Sequence, residues 1–144
     1  MDLWSFALDR YARPGVEAAC LAAQARGRNV CLLLCAAWLD SRRCAWTAER
    51  QQALEAIAVP FETEVVAPMR ALRQQWKGAA SGDAALAALR ERLKTLELEA
   101  ERLLCARLQQ GCEGWPADAT SAGQWLKVLE EPALARCLEG DASA

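Results

Sequence analysis

Asn29-Val30-Cys31-Leu32-Leu33-Leu34-Cys35-Ala36-Ala37-Trp38-Leu39-Asp40 is the stretch whose reading decides the fold. The ten residues from Val30 to Leu39 carry no charge, and their only strong hydrogen-bonding side chain is the indole of Trp38. A surface helix shows an apolar stripe and a polar face. This segment is apolar all round and needs neighbours on every side. Periodicity does not separate a short apolar helix from a buried strand, so composition and capping decide. Leu, Ala and Cys fill the run where a strand would favour Val, Ile and Thr. Asn29 stands where its side chain can accept from a free N–H of the first turn. The segment predicts a central helix. The chain around it predicts an all-α fold, a compact single-domain bundle of about six to eight helices around residues 29–40.

A chain of 144 residues is long enough for one domain with its own core. Ala and Leu dominate its apolar residues, while Ile and Tyr occur once each, a poor supply for a sheet. A formal charge of −2 argues against a broadly basic, nucleic-acid-binding surface. The excess acid is local, because residues 113–144 hold six acidic and two basic side chains. Met1-Asp2-Leu3-Trp4 lacks the regions of a secretory signal. The longest apolar run is half of the roughly 20 residues a spanning helix needs. The expectation is a cytoplasmic protein with neither membrane nor nucleic-acid partners. Seven cysteines are an odd number, and Cys20, Cys31, Cys35 and Cys105 fall in apolar helical patterns. In a reducing compartment they pack as small hydrophobes, not as a disulfide framework. Cys44 and Cys112 read as more exposed.

Working outward, Leu3–Tyr11 predicts a first helix with Trp4, Leu8 and Tyr11 on its inward face. Pro14 suits the first turn of a second helix, with Val16, Ala19, Cys20 and Ala23 inward and Gly27 as its stop. Thr47 caps a fourth helix that should end before Pro60, since the residue preceding proline is pushed out of helical space. Its inward residues are Leu54, Ile57 and Ala58. A fifth helix over Phe61–Lys77 aligns Phe61, Val65, Met69, Leu72 and Trp76, and Pro68 should kink it. Gly78–Asp83 reads as a linker whose Ser81 or Asp83 caps the next helix. Ala84–Gln110 is the longest pattern, with Leu86/Leu89, Leu93/Leu96 and Ala100/Leu103 inward and antiparallel to the fifth helix. Opposite charges three apart (Glu91–Lys94, Lys94–Glu97, Glu99–Arg102) support it. Thr120 or Ser121 begins a short helix carrying Trp125, and Pro132–Leu138 forms the last. The domain spans 1–138 and residues 139–144 form a frayed tail.

The chain has no histidine. That removes Ser–His–Asp and Cys–His pairs and the commonest zinc ligand. The phosphate-cradling, dinucleotide-binding and nucleophile-elbow glycine motifs are missing as well. No cofactor, no metal and no catalytic residue is expected. Cys31 and Cys35 share a helix face with Cys20 nearby, but an apolar helical setting raises thiol pKa values and favours core packing. Arg70, Arg73 and Lys77 form a cationic stripe beside the apolar one, and Glu97, Glu99 and Glu101 an acidic stretch on the long helix. If the two helices pack antiparallel, these charges meet, either as a salt-bridge network or as a polar cleft that binds a small ligand. Trp4, Trp38 and Trp76 read as core. Trp115 and Trp125, with Trp46, lie in or near loops and are candidates for an interaction surface.

Three blocks carry a resemblance. They are Leu3-Trp4-x-Phe6-Ala7…Tyr11…Pro14-Gly15-Val16…Cys20-Leu21…Gln24, then Asn29-Val30…Leu33…Trp38, then Val65-Val66-x-Pro68-Met69-Arg70-x-Leu72-Arg73. Over residues 3–105 the chain resembles domain-of-unknown-function family 2390, short proteobacterial proteins. The family carries Asn where this chain has Cys31, which argues against a polar group being required there. The resemblance implies a bacterial, all-helical, single-domain protein and transfers no activity or site residue. The reading that follows is a non-enzymatic interaction or regulatory module. It would present its long helix, or its Trp-bearing acidic C-terminal part, to a protein partner or to its own copy. The alternative is a small-ligand-binding or catalytic bundle using Arg70, Arg73, Lys77, Glu97 and Glu101.

Overall fold

Asn29 caps a helix, α3 (Val30–Ser41), its side chain accepting from the Leu32 N–H at 2.9 Å. The computed structural model describes residues 1–121 and 123–139. Within it α3 is buried on all sides from Leu33 to Leu39. Its neighbours are α1 (Leu3–Tyr11), α2 (Val16–Ala25), α4 (Ala48–Phe61), α7 (Ala84–Gly111) and α8 (Gln124–Val128). The remaining elements are a π-helical turn (Glu62–Val66), α5 (Ala67–Gln75), α6 (Lys77–Ala80) and α9 (Pro132–Glu139). The described residues form an all-α, single-domain bundle around α3. Each fully buried leucine of this core contributes about 1.5–3 kcal/mol relative to exposure. Of the expected tail at 139–144, Glu139 is instead the last residue of α9, and residues 140–144 lie outside the described residues.

Several boundaries differ from the sequence expectation for identifiable reasons. The fourth helix does not stop before Pro60. It runs through Phe61 into the π turn, where the Ala67 N–H bonds the Glu62 carbonyl five residues back. Pro68 then falls in the first turn of α5, where a missing N–H costs least, so it opens a helix instead of kinking one. The wide turn takes up one extra residue, and the buried stripe steps from Phe61 to Val66. Val65, expected inward, faces out. Leu72 is exposed too, while Met69 and Trp76 are half-buried. Part of the expected linker is helical as α6, and Asp83 caps α7 by accepting from the Leu86 N–H at 3.1 Å. On α1 the buried face is Leu3, Phe6 and Ala7, while Trp4 and Tyr11 are half-buried and Leu8 is exposed.

The C-terminal segment folds back over α3. Helix α8 begins at Gln124, not at Thr120 or Ser121, because its cap comes from elsewhere in the chain. The Asp40 carboxylate accepts from the Trp125 and Leu126 N–H groups at 2.9 and 3.2 Å. Trp125 is buried and donates its indole N–H to the Cys44 carbonyl at 2.9 Å. This cover also buries Cys44 and Cys112, against the expectation that both are exposed. The Cys35 thiol donates a hydrogen bond to Cys112, which lowers the Cys112 pKa and, with burial, raises that of Cys35. Glu131, itself buried, takes Arg26 on both oxygens at 3.0 and 2.8 Å and ties α2 to the start of α9.

Candidate functional site

The charged residues singled out on the fifth and long helices do not form one cluster. Arg73 is paired, its Nε 2.6 Å from the Glu97 carboxylate, with side chains 24% and 9% exposed. Arg90 reinforces the same junction by donating from Nε to the Arg73 carbonyl at 2.8 Å. That is a structural clamp between α5 and α7. Lys77 is exposed and forms no salt bridge among the described residues. Of the three expected pairs along α7, Glu91–Lys94 forms at 3.0 Å. Glu97 turns to Arg73 instead of Lys94, and Glu99–Arg102 makes no ion pair among the described residues.

Arg70 is placed differently. Eight residues separate it from Glu62, a spacing that would splay the two side chains by about 80° on a regular helix. The π turn absorbs one residue, so the eight make two full turns. Arg70 Nη1 then reaches the Glu62 carboxylate at 2.9 Å. This pair enters the wall of a cavity of about 420 Å³ between α1, α2, α3, the π turn, α5 and α7. The apolar wall includes Trp4, Leu8 and Tyr11 of α1, Val30 and Leu34 of α3, and Leu98 of α7. Trp4, Leu8 and Tyr11 therefore do share a face, as their spacing implies, but that face lines a recess, with Trp4 and Tyr11 packed against the margin of the core and Leu8 exposed.

Glu101 completes the polar side. It forms no salt bridge among the described residues, and burial pushes its carboxyl above the usual range. Glu97 and Glu62 push it further, against the pull of Arg70 and Arg73. Burial, and after it Glu17, Cys20 and Glu101, likewise raise the Tyr11 phenol. Asn29, whose Oδ1 is spent on the α3 cap, also lines the recess, and its Nδ2 is buried without a hydrogen-bond partner among the described residues. Cys31 donates its thiol to the Glu101 carbonyl at 3.9 Å. Its hydrogen bond with Cys105, then burial, hold that thiol well above its ordinary value, the form that packs and does not attack. Of the residues singled out in the sequence as site candidates, Arg70 and Glu101 line this recess; Glu62, Tyr11 and Asn29 line it too and are not among those candidates. Their signal was the two-turn spacing of Glu62 and Arg70 across a π turn, which is not visible as a period.

The expected interaction surface is corrected in part. Trp125 is buried, stacked at 6.2 Å on half-buried Trp115, and Arg50 covers the Trp115 ring. The apolar surface lies elsewhere, on α7. Leu89, Leu96 and Leu103 recur every seven residues and are each about half exposed. Two grooves flank them, one with Val65 and Met69 and one with Trp76 and Leu93, and Leu96 and Glu99 belong to both. The sequence pattern is correct in its period but not in its burial. α5 covers one side of this stripe, and the other is open.

With its closed core, amphiphilic recess and open leucine row, the chain belongs to the class of small all-α, single-domain bundles. The chain belongs to the family described as a protein of unknown function (DUF2390), whose model matches residues 2–108. That span holds every residue of the recess and of the leucine row, while α8 and α9 lie beyond it. No curated protein and no solved structure matches the chain. Among the described residues no helix is long and apolar enough to cross a membrane.

Proposed function

We propose that this is a non-enzymatic interaction module that associates through the open face of α5 and α7, with a second copy of the chain as the occupant. The observation that carries this reading is the half-exposed Leu89, Leu96, Leu103 row. Heptad spacing is the pattern of helices that pair lengthwise, and contiguous apolar surface of this kind marks interaction sites. Charge favours self-association. Arg92 and Glu99 flank the row and form no ion pair among the described residues. An antiparallel two-fold axis at Leu96 sets Leu89 opposite the partner's Leu103 and brings Arg92 beside the partner's Glu99, twice. The free, adjacent thiols of Cys35 and Cys112 suit a reducing cytoplasm, and the net charge of −2 suits a protein partner better than nucleic acid.

Sedimentation equilibrium over a concentration series tests it. Wild type should self-associate and Leu96→Glu should be monomeric. Arg92→Glu should weaken association, and adding Glu99→Arg should restore it. A wild-type monomer at about 100 μM, or no rescue by the charge swap, overturns the reading. A second reading, a small-ligand-binding bundle, is favoured by the recess at Arg70 and Glu101. Its volume falls in the range of about 300–1,000 Å³ usual for ligand pockets. Arg73, Glu97 and Lys77 have no part in it.

A further inference from the structure

Resting on the second reading above, the geometry points to an amphiphilic amine, a protonated nitrogen on an aromatic or aliphatic body, as the ligand class of the recess. Size and polarity fix the body. About 420 Å³ walled by Trp4, Leu8, Val30 and Leu34 admits a single- or double-ring molecule and rewards burying it. Charge fixes the head group. Glu17, Glu62 and Glu101 line the recess, and the one cation lining it among the described residues, Arg70, is already engaged by Glu62 at 2.9 Å. Among the described residues Glu101 is left without an ion-pair partner, beside an apolar wall. A desolvated carboxylate of this kind is satisfied by a cation that brings its own N–H donors. An anionic ligand would have to displace Glu62 from Arg70 and meet two further carboxylates.

The aromatic rings strengthen the assignment. Trp4 and Tyr11 stand in the same wall, and an ammonium near an aromatic face gains a further attraction. The orphan Nδ2 of Asn29 adds a donor at the same wall, so an acceptor on the ligand body, a hydroxyl or a carbonyl, would find a partner. Among the described residues no Lys and no second Arg lines the recess to oppose an ammonium head.

The test is calorimetric titration of the full chain with tryptamine and phenethylamine, run beside phenethyl alcohol and 3-phenylpropionate. The amines should bind and the carboxylate should not. Glu101→Gln, checked for an unchanged circular dichroism spectrum, should weaken amine binding tenfold or more. Arg70→Gln frees Glu62 and should tighten it or leave it unchanged, an opposition that mere loss of structure would not produce. Equal binding of the alcohol and the amine, or preferred binding of the carboxylate, overturns the amine assignment while leaving a ligand-binding recess. Silence from all four probes overturns the assignment and the second reading with it.

Discussion

Arg73→Ala should separate clamp from binding group most directly. The substitution removes the guanidinium but keeps the Arg73 carbonyl that Arg90 bonds, so it isolates the ion pair with Glu97. Removing one partner of a buried pair costs about 3–5 kcal/mol because the other charge is left desolvated, whereas an exposed pair is worth about 0–1 kcal/mol. Here the carboxylate is 9% and the guanidinium 24% exposed, so the pair sits between these limits. The loss should be about 2 kcal/mol, or about 7 °C in Tm for a chain of this size. Arg70→Ala is the internal comparison. Its partner Glu62 is 26% exposed and borders the recess, so about 0.5–1 kcal/mol should be lost. Arg73→Met with Glu97→Leu, which leaves no orphan charge, should recover most of the Arg73→Ala deficit. Urea unfolding of the four proteins measures all of this. An Arg73→Ala loss below about 0.5 kcal/mol, or one equal to that of Arg70→Ala, would refute the clamp and return Arg73 to the list of ligand-binding candidates.

Glu101 gives a pH signature. Its folded-state carboxyl lies above the ordinary 4.5, so the folded protein holds the proton more tightly than the unfolded chain. Its contribution to stability is therefore full below 4.5 and is lost as pH rises through the folded-state value. Glu101→Gln should be more stable than wild type at neutral pH and lose that advantage on acidification, as denaturant titrations across the range would record. Gly15 gives a packing signature, because it sits at φ 83 and a Cβ there would lie 2.8 Å from the Cys137 sulfur. Gly15→Ala should cost about 1–3 kcal/mol. Gly27→Ala, at φ 87 with open space around it, bears only the backbone strain and should cost less in the same thermal melts.

What the sequence makes legible here is what is local. Asn29 and the apolar run state a capped, all-round-buried helix in consecutive residues, and the structure has it. Thr47, Asp83 and Gly27 act at the ends they signal. What stays hidden depends on partners far along the chain. Asp40 caps a helix that starts more than eighty residues later, and Arg26 meets Glu131 across a similar distance. Cys44, Cys112 and Trp125 look like loop residues until the C-terminal segment covers α3 and buries all three. The Leu89/Leu96/Leu103 pattern shows the converse limit. A heptad states that a face needs company, but it does not say whether the company comes from the same chain.

The π turn is where local reading and outcome part most sharply, and it sets both candidate surfaces at once. Phe61, Val65 and Met69 fall four apart, so an uninterrupted helix would bury Val65 and turn Val66 away. The inserted residue reverses that choice. Val66, Glu62 and Arg70 come to the recess, while Val65 moves out to the groove beside Leu96 and Leu103. Prolines at 60 and 68 bracket the turn, and each removes an N–H that a regular helix would use. With those donors gone, the regular ladder has less to lose by widening over Glu62–Val66, and π turns are frequent at functional positions for the same geometric reason. The recess and the leucine face thus share one backbone irregularity. A change that restored regular α geometry there would be felt on both.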